Sequence, residues 1–255
     1  MNRAPRAVPS NRYRFHPLPR TDRMYEAVTA HPAGESTVAR FARTASEYGY
    51  DGLVVRNGHE VEFDAAAIGN AYGLDVVHGT EIEADSPEVA AGTVGGRRDE
   101  ATVLSLVGGS DALNRFATEE VRLDVLSRPM ASGGGFNHVL AKAASRNDVR
   151  VEFDLGPVLR RSGGSRVRAI RDLRLLRKLV RKYDTPFVVS ATARSHLELR
   201  APRELVALGE VIGFSAAEIE RGLREWGAIA AHTREVRSES FIEPGVRRGR
   251  YEEER

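Results

Sequence analysis

Short apolar runs alternate with amphipathic stretches along most of the chain. Seven runs rich in β-branched residues are typical of strands, and the segments between them repeat their apolar residues at helical spacing. The predicted strands cover residues 25–29, 52–56, 75–82, 102–107, 123–126, 149–155 and 187–190. The predicted helices cover residues 37–48, 64–72, 110–119, 137–145, 166–183, 202–208 and 216–233. The pattern is weakest in residues 86–100, where no element is assigned.

This alternation predicts parallel βα units, and hence an α/β fold. Two architectures fit it: a TIM-like barrel of about seven parallel strands with outer helices, or a doubly wound sheet. In both, function resides at the carboxyl ends of the strands. The polar residues predicted to lie there are residues 56–59, 79–81, 127–129, 156–157 and 190–196.

No linker divides residues 24–237, which we expect to form a single domain. Residues 1–23 contain prolines and arginines but no apolar core, so they are predicted to be a disordered extension and not a secretory signal. Met24 opens the first patterned segment, and residues 1–23 could lie upstream of the true start. Residues 238–255 are predicted to be a disordered tail.

The positive net charge of the chain comes from its first 23 residues. Six of the 38 Lys and Arg residues, but one of the 36 acids, lie in residues 1–23, so the remainder carries a net charge of about −3. Overall charge therefore does not indicate a nucleic-acid partner, and only a local concentration of cations can do so. All but three of the cations are arginines, whose guanidinium groups can pair with phosphate through two hydrogen bonds.

Composition and motifs exclude several classes of protein. The absence of cysteine excludes disulfides, thiolate nucleophiles and Cys-ligated zinc, and suits a reducing cytoplasm, where we expect the protein to act. No apolar run approaches the ~20 residues of a membrane span. The G-x-S-x-G, H-E-x-x-H, P-loop and G-x-G-x-x-G motifs are all missing. The SGGGF segment at residues 132–136 could present N–H groups to a phosphate, although a flexible loop is the simpler interpretation.

The predicted helix at residues 166–183 has one apolar and one strongly basic face. Residues 165–182 contain eight Lys or Arg residues and a single acid, Asp172, so these charges cannot be neutralised within the helix. Ser165 is the predicted N-cap. The helix therefore indicates a polyanionic partner, and the alternative is an ordinary solvated face.

A metal site is a further possibility that the sequence argues against. Side chains that could converge on one barrel mouth are Glu81, Asp124, His31, His78, His138 and His196. The chain has no H-x-H motif, and every histidine stands alone. Since hydrolytic metal clusters usually combine several His and carboxylate ligands, we expect none here.

Four segments together carry a resemblance to a known family. They are LDVLSRP at residues 123–129, NHVLAKAASRNDVRVEFDLGPVL at 137–159, RVRAIRDLRLLRKLVRKYDTPFVVS at 166–190 and ARSHLELRAPREL at 193–205. In this order they resemble the ribonuclease P protein component 3 family, the archaeal relatives of the eukaryotic thirty-kilodalton subunit, over about residues 24–225. The arginine-rich style and the first strand are most similar to haloarchaeal members.

The resemblance implies a TIM-like barrel related to the polymerase and histidinol phosphatase (PHP) domain. Where PHP enzymes have H-x-H after the first strand, this chain has Thr29-Ala30-His31, whereas the G-x-E-like motif survives as Gly79-Thr80-Glu81. Arg128 stands at one position of a metal-binding histidine, and Ala191 at that of an aspartate. The resemblance thus implies a metal centre partly replaced by a guanidinium. A PHP-like metal-dependent phosphoesterase remains the alternative function.

The resemblance also implies a role. In ribonuclease P the RNA subunit performs the magnesium-dependent removal of the 5′ leader of precursor tRNA, so the protein is expected to need no cofactor and to have no catalytic residue. The expected partners are ribonuclease P RNA, protein component 2, other ribonuclease P proteins and, indirectly, precursor tRNA. Candidate contact residues are Arg128, Arg160, Arg161, Arg168, Arg171, Arg174, Lys178, Arg194, His196 and Arg200. For each, the alternative is a surface or internal salt bridge.

Overall fold

Seven parallel strands form the centre of the molecule. The computed structural model describes residues 22–238, 241–243 and 246–247. The strands are β1 (Tyr25–Val28), β2 (Gly52–Val55), β3 (Asp75–Ile82), β4 (Val103–Val107), β5 (Val125–Ser127), β6 (Arg150–Asp154) and β7 (Phe187–Ser190). They pair in chain order from β1 to β7 and curl into a nearly closed barrel. The predicted TIM-like barrel is confirmed, and every strand ends within two residues of its predicted bounds.

Helices follow the strands and cover the outside of the barrel. They are α1 (Val38–Glu47), α2 (Ala65–Tyr72), α3 (Pro87–Arg97), α4 (Asp111–Glu119), α5 (His138–Asn147), α6 (Gly156–Arg160), α7 (Gly163–Lys182), α8 (Pro202–Ile212) and α9 (Ala216–Val236). The sequence pattern missed α3 and α6. The glycines of α3 obscure its periodicity, but Ser86 caps it by accepting a hydrogen bond from Val89 N, and Pro87 suits its first turn.

The long basic helix α7 starts earlier than predicted. Its N-cap residue is Ser162, and the prediction of Ser165 as N-cap is wrong, because the Ser165 hydroxyl donates to the Ser162 carbonyl 2.7 Å away. The predicted apolar face is confirmed by the burial of Leu173, Leu176 and Val180.

Alternate strand residues fill the inside of the barrel. Val54, Val77, Val103, Val125 and Val188, each from a different strand, are buried together with Trp226, Ile229 and Ala230 of α9. A second, larger cluster lies between the sheet and the outer helices. The interior is thus a packed core, and any site must lie at one of its ends.

Helix α9 closes the amino-terminal end of the barrel, called the base below. Arg234 of α9 donates two hydrogen bonds to Asp75, the first residue of β3. Glu225 of α9 accepts from Arg150, the first residue of β6. Because the base is covered, the open end is the one formed by the carboxyl ends of the strands, called the mouth below.

The buried side chain of Glu26 bridges the seam between β1 and β7. Its carboxylate accepts from the backbone N–H of Ala191 at 3.1 Å and of Ala27 at 2.9 Å, and from the Ser190 hydroxyl. Burial raises the pKa of Glu26 to about 7, although these hydrogen bonds act in the opposite direction. The carboxyl group therefore supplies an acceptor for the Ala191 N–H, at an edge where the strands form no ladder.

Both terminal segments that were predicted to be disordered lie largely outside the residues that the structure describes. Residues 1–21 of the predicted disordered extension, and 239–240, 244–245 and 248–255 of the predicted tail, lie outside the described residues. Within the tail, β8 (Phe241–Glu243) and β9 (Val246–Arg247) pair in antiparallel fashion. None of the described helices is long and apolar enough to cross a membrane.

Candidate functional site

A cleft of about 630 Å³ lies at the mouth of the barrel. Its walls come from the carboxyl ends of the strands and the loops after them, with further residues from α3 and α6. The cleft is lined by six arginines, namely Arg56, Arg97, Arg128, Arg160, Arg161 and Arg194. The carboxylates that line it are Glu60, Glu81, Glu83 and Asp154. Its charge is therefore set by how many of these arginines are already paired inside the protein.

Arg56 forms the floor of the mouth cleft and is fully paired. It is 3% exposed, and its Nη1 lies 2.8 Å from Glu81 Oε1 while Nη2 donates to the buried Glu152. Its guanidinium stacks over Trp226 at 5.2 Å from the ring centroid. Burial by itself would lower the pKa of Arg56, but Glu152 and Glu81 raise it above its ordinary value. The centre of the mouth is thus a buried, permanently charged guanidinium held by two glutamates.

Arg128 connects this buried centre to the open cleft. Its Nη2 lies 2.8 Å from Glu81 Oε2 and 3.3 Å from Glu83 Oε1, so Glu81 bridges the two guanidinium groups of Arg56 and Arg128. Burial opposes ionisation of Glu81, yet Arg56 and Arg128 lower its pKa below the ordinary value. Burial raises the pKa of Glu152 above its ordinary value, with further repulsion from Asp154 and Glu81. Arg128 remains one-third exposed and is therefore available to an anion in the cleft.

Two loop residues at the mouth have the left-handed backbone conformation. Arg128, after β5, has φ 49°, and Thr192, after β7, has φ 48°. For a β-branched residue such as threonine this conformation is a genuine outlier, and it is retained where the surroundings fix it. Here Thr192 donates from Oγ1 to Asp154 Oδ1 at 2.6 Å. Strain at functional loops is common, so these two positions support the mouth as the site.

The remaining arginines of the mouth differ in how firmly they are held, and Arg97, at the end of α3, pairs with Glu100 at 2.9 Å. Arg160 donates to the Ala191 carbonyl at 2.8 Å and to Thr192 Oγ1 at 3.0 Å, so it braces the loop after β7. Arg194 is exposed and donates to the Ala33 carbonyl, and its guanidinium has no carboxylate partner within the part of the chain that the structure describes. Arg161 is exposed, and its guanidinium has no hydrogen-bond or ion-pair partner among the described residues. Arg128, Arg161 and Arg194 are thus the guanidinium groups best placed to bind an anion.

The structure brings together four of the ten predicted contact residues. Arg128, Arg160, Arg161 and Arg194 line the mouth cleft. His196 and Arg200 do not line it: His196 Nδ1 is 2.8 Å from the Ser36 hydroxyl, and Arg200 donates to the carbonyl groups of Leu197 and Leu199. These two residues hold the loop that precedes α8.

The other four predicted residues lie along α7, where their surroundings differ. The side chains of Arg168 and Lys178 are exposed without a hydrogen-bond or ion-pair partner among the described residues, and Arg171 makes a weak contact of 3.4 Å with Asp172. Arg174 instead donates to the carbonyls of Ile212 at 2.9 Å and Val211 at 3.0 Å. It caps the carboxyl end of α8, so replacing it would perturb the fold as well as the surface.

The residues do not fit the metal centre that a PHP-like ancestry would imply. Glu81 is tied to Arg56 and Arg128, and a guanidinium excludes a divalent cation from the same carboxylates. Asp124, one of the side chains that could have converged with Glu81, precedes β5 at the base, where it accepts from Arg98 at 2.7 Å. Within residues 22–238, 241–243 and 246–247, no three His, Asp or Glu side chains are placed to hold a metal ion.

Sequence reasoning missed the centre of the site. Arg56 was among the polar residues predicted at the strand ends, but its pairing with Glu152 and Glu81 was not. Glu152 lies within β6, and its burial would ordinarily argue for an apolar residue. A signal was available in the alternation of side chains along the strands. Arg56 continues the inward-facing series of Gly52 and Val54, and Glu152 follows Arg150 on the inward face of the other strand, so both series place a charged residue inside the barrel.

Comparisons with known proteins agree with the motifs. A family model described as RNase P subunit p30 matches residues 23–238. Ribonuclease P protein component 3 of Halorubrum lacusprofundi is 59% identical over 240 residues, covering 91% of this chain and all of that protein. The protein of the same name from Haloarcula marismortui is 56% identical over 226 residues, covering 88% and 96%.

A solved structure shares the fold. A chain of a cryo-EM structure of archaeal ribonuclease P with mature tRNA superimposes with a TM-score of 0.75 at 22% identity. The match covers 90% of this chain and all of that one. At this identity the likeness supports the barrel architecture and its helices.

Proposed function

Because the chain belongs to the RNase P subunit p30 family, we propose that it acts as a protein subunit of ribonuclease P in the cytoplasm and supports RNA-catalysed removal of the 5′ leader from precursor tRNA. In this proposal the protein binds ribonuclease P RNA and protein component 2, joins the other ribonuclease P proteins, and meets precursor tRNA indirectly. Magnesium serves the RNA subunit, and the protein contributes no catalytic residue.

The observation that carries the proposal is the conversion of the barrel mouth into a cationic cleft. Arg56 occupies the carboxylates at its centre, while Arg128, Arg161 and Arg194 face the opening without full neutralisation. Arginines in a concave, partly desolvated site bind phosphate through charge-assisted hydrogen bonds. Their spacing along a cleft suits the backbone of a folded RNA, which proteins recognise largely by shape and phosphate contacts.

Helix α7 provides a second candidate surface for the same partner. Its exposed cations, Arg168, Arg171 and Lys178, form a local positive patch on a chain whose residues 24–255 carry a small net negative charge. Counterion release from RNA would make contacts at both surfaces sensitive to salt. Since that contribution shrinks at high salt, specific arginine contacts at the mouth should matter more than the net charge.

Reconstituted ribonuclease P tests the proposal with two sets of charge reversals. One set changes Arg161 and Arg194 to Glu at the mouth, and the other changes Arg168, Arg171 and Lys178 to Glu on α7. Arg174 is left intact because it caps α8. The matched control changes the exposed Arg40, Arg115 and Arg146 to Glu on other helices.

We expect the mouth set to lower the rate of precursor-tRNA cleavage at limiting protein by at least about tenfold, as loss of charge-assisted phosphate contacts predicts. The control set should leave that rate within about twofold. Circular dichroism establishes that each variant is folded. Wild-type cleavage by folded mouth and α7 variants alike would contradict the proposed RNA contacts.

The alternative, a metal-dependent phosphoesterase, receives no support from the geometry of the centre, where Arg56 holds the carboxylates. It predicts that the purified protein alone hydrolyses a generic phosphomonoester with added Zn²⁺ or Mn²⁺. We expect no hydrolysis above that of a protein-free blank under the same conditions.

A further inference from the structure

A second, smaller cavity opens from the mouth cleft towards α7. This side pocket has a volume of about 130 Å³. It shares Arg128, Asp154, Pro157 and Arg161 with the mouth cleft. Its other walls are mainly apolar, formed by Met130, Ala169, Leu173 and Leu176. One continuous site therefore has a cationic part and an apolar part.

Two carboxylates of the side pocket have acceptor capacity to spare, whereas Glu152 is bound to Arg56. Asp154, at the junction with the mouth cleft, accepts from Gly156 N at 2.8 Å and Thr192 Oγ1 at 2.6 Å through Oδ1 alone. Asp172 contacts only Arg171, at 3.4 Å, among the described residues. Asp172 is also about one-third exposed, so a ligand in the pocket can reach it.

These features match the parts of a nucleotide. The pocket is smaller than the ~300–1,000 Å³ of a site for a drug-sized ligand, which suits a single planar base while the rest of the ligand remains in the cleft. The apolar walls bury the faces of the base, and the arginines at the junction bind the phosphate. Among the bases, guanine presents two adjacent N–H donors on its Watson–Crick edge, which a carboxylate accepts together.

We infer that the mouth cleft and the side pocket together bind one unstacked guanine nucleotide, with its base against Asp172 and its phosphate on Arg161 and Arg128. The inference rests on the proposed function in one respect: the bound nucleotide is taken to be an unpaired guanosine of single-stranded RNA. A free guanine nucleotide has the same chemistry and is separated from RNA by the choice of ligand.

The methionine methyl groups provide a direct reporter. The chain has three methionines, Met1, Met24 and Met130, and of the two within the described residues Met130 lines the side pocket. The full-length protein labelled with [methyl-¹³C]methionine is titrated with 5′-GMP, 5′-AMP, 5′-UMP, ribose 5-phosphate and the trinucleotide UpGpU. A Met130→Leu variant assigns the signal, and Met24, in a separate cavity, is the internal control.

The expected result is a saturable shift of the Met130 signal with 5′-GMP and no shift of Met24. Affinity for 5′-GMP should exceed that for 5′-AMP and 5′-UMP by about tenfold, the discrimination expected of a bidentate base contact. Asp172→Asn should remove this preference for 5′-GMP, and Arg161→Ala should lower the affinity for 5′-GMP by about tenfold. Arg146→Ala, an exposed arginine on α5, is the matched control and should bind as the wild type.

Comparison of UpGpU with 5′-GMP assigns the source: tighter binding of the trinucleotide identifies RNA, and tighter binding of 5′-GMP identifies a free nucleotide. The inference is overturned if the Met130 signal does not move, if ribose 5-phosphate moves it equally, or if Asp172→Asn keeps the preference for guanine. Reduced precursor-tRNA cleavage by the mouth variants in that case would leave the proposed function standing. A Met130 shift together with wild-type cleavage by the folded mouth and α7 variants would instead keep the nucleotide site and contradict the RNA contacts of the proposed function.

Discussion

The two ends of the barrel use arginine in opposite ways. At the base, Arg98 and Arg150 are buried, at 6% and 3% exposure. Arg98 pairs with Asp124, while Arg150 pairs with Glu225 and Asp148. At the mouth only Arg56 is enclosed in this way, whereas Arg161 and Arg194 are exposed without a carboxylate partner among the described residues.

This difference separates arginines that hold the fold from arginines that are available to a ligand. The base is covered by α9, whose Glu225 and Arg234 pair with Arg150 and Asp75, while Arg237, directly after α9, donates to the Arg98 carbonyl. The mouth has no such cover, and its loops place guanidinium groups around a cleft. In barrels of parallel strands, the carboxyl end carries function and the amino end carries stability. The arginines of this chain follow that division.

The largest effect should come from breaking a pair at the base. Arg98→Met leaves the buried Asp124 without its cation, which should lower the free energy of unfolding by about 3–5 kcal/mol. Its neighbour Arg97 provides the control, since its pair with Glu100 is solvent-exposed and Arg97→Met should change stability by less than about 0.5 kcal/mol. Urea denaturation measures both, and a loss for Arg98→Met as small as the one expected for Arg97→Met would show that Arg98 is not a structural arginine.

A smaller, pH-dependent effect should come from Glu26 in the seam. With its pKa raised from the ordinary 4.5 to about 7, the folded protein keeps a proton on Glu26 that the unfolded chain loses as the pH rises above 4.5. The stability contributed by Glu26 should therefore fall, by up to about 3 kcal/mol, as the pH rises from about 4.5 to about 7. Glu26→Gln should remove this slope from the urea-unfolding profile, and parallel profiles for the two proteins would exclude the assignment.

Arg174 tests whether a predicted contact residue is structural. Its two hydrogen bonds cap α8, so Arg174→Ala should lower the free energy of unfolding by about 1 kcal/mol. Arg171→Ala, on the same helix and highly exposed, should leave stability within about 0.5 kcal/mol. Indistinguishable thermal melts for the two variants would count against the cap.

The smallest effect on stability should come from the mouth. Arg161→Ala should change the free energy of unfolding by less than about 0.5 kcal/mol, because Arg161 has no partner to lose among the described residues. It should nevertheless weaken binding to ribonuclease P RNA several-fold and lower the slope of log K against log salt by about 1. Filter binding across a salt series gives both quantities. An unchanged slope would remove Arg161 from the RNA surface.

The fold could be predicted from sequence because its signals are local. Each strand is a short β-branched run, and the apolar face of α7 follows from the spacing of Leu173, Leu176 and Val180. Helix α3 could not be predicted in this way, since its three glycines weaken helix propensity and tertiary packing overrides that weakness. The prediction of Ser165 as N-cap failed because its hydroxyl serves the Ser162 carbonyl.

The candidate site was predictable only in part, because the partners of its arginines are distant in sequence. Arg128 and Arg161 could be selected as cations near strand ends, but nothing local distinguishes Arg161 from Arg174, which caps another helix. Likewise, adjacent Arg97 and Arg98 differ by which acid each meets after folding. The sequence shows where arginines occur, but only the fold decides which of them are left without an internal partner and can bind a ligand.

Site-directed crosslinking tests the division between the two ends most directly. Since the chain has no cysteine, Arg161→Cys at the mouth and Arg146→Cys in the last turn of α5 each provide a unique attachment point for an aryl azide. Both positions are exposed. In the reconstituted complex we expect the probe at residue 161 to crosslink to ribonuclease P RNA and the probe at 146 to give no RNA crosslink. RNA crosslinks from residue 146 but not from 161 would contradict the assignment of the mouth as the RNA-facing surface.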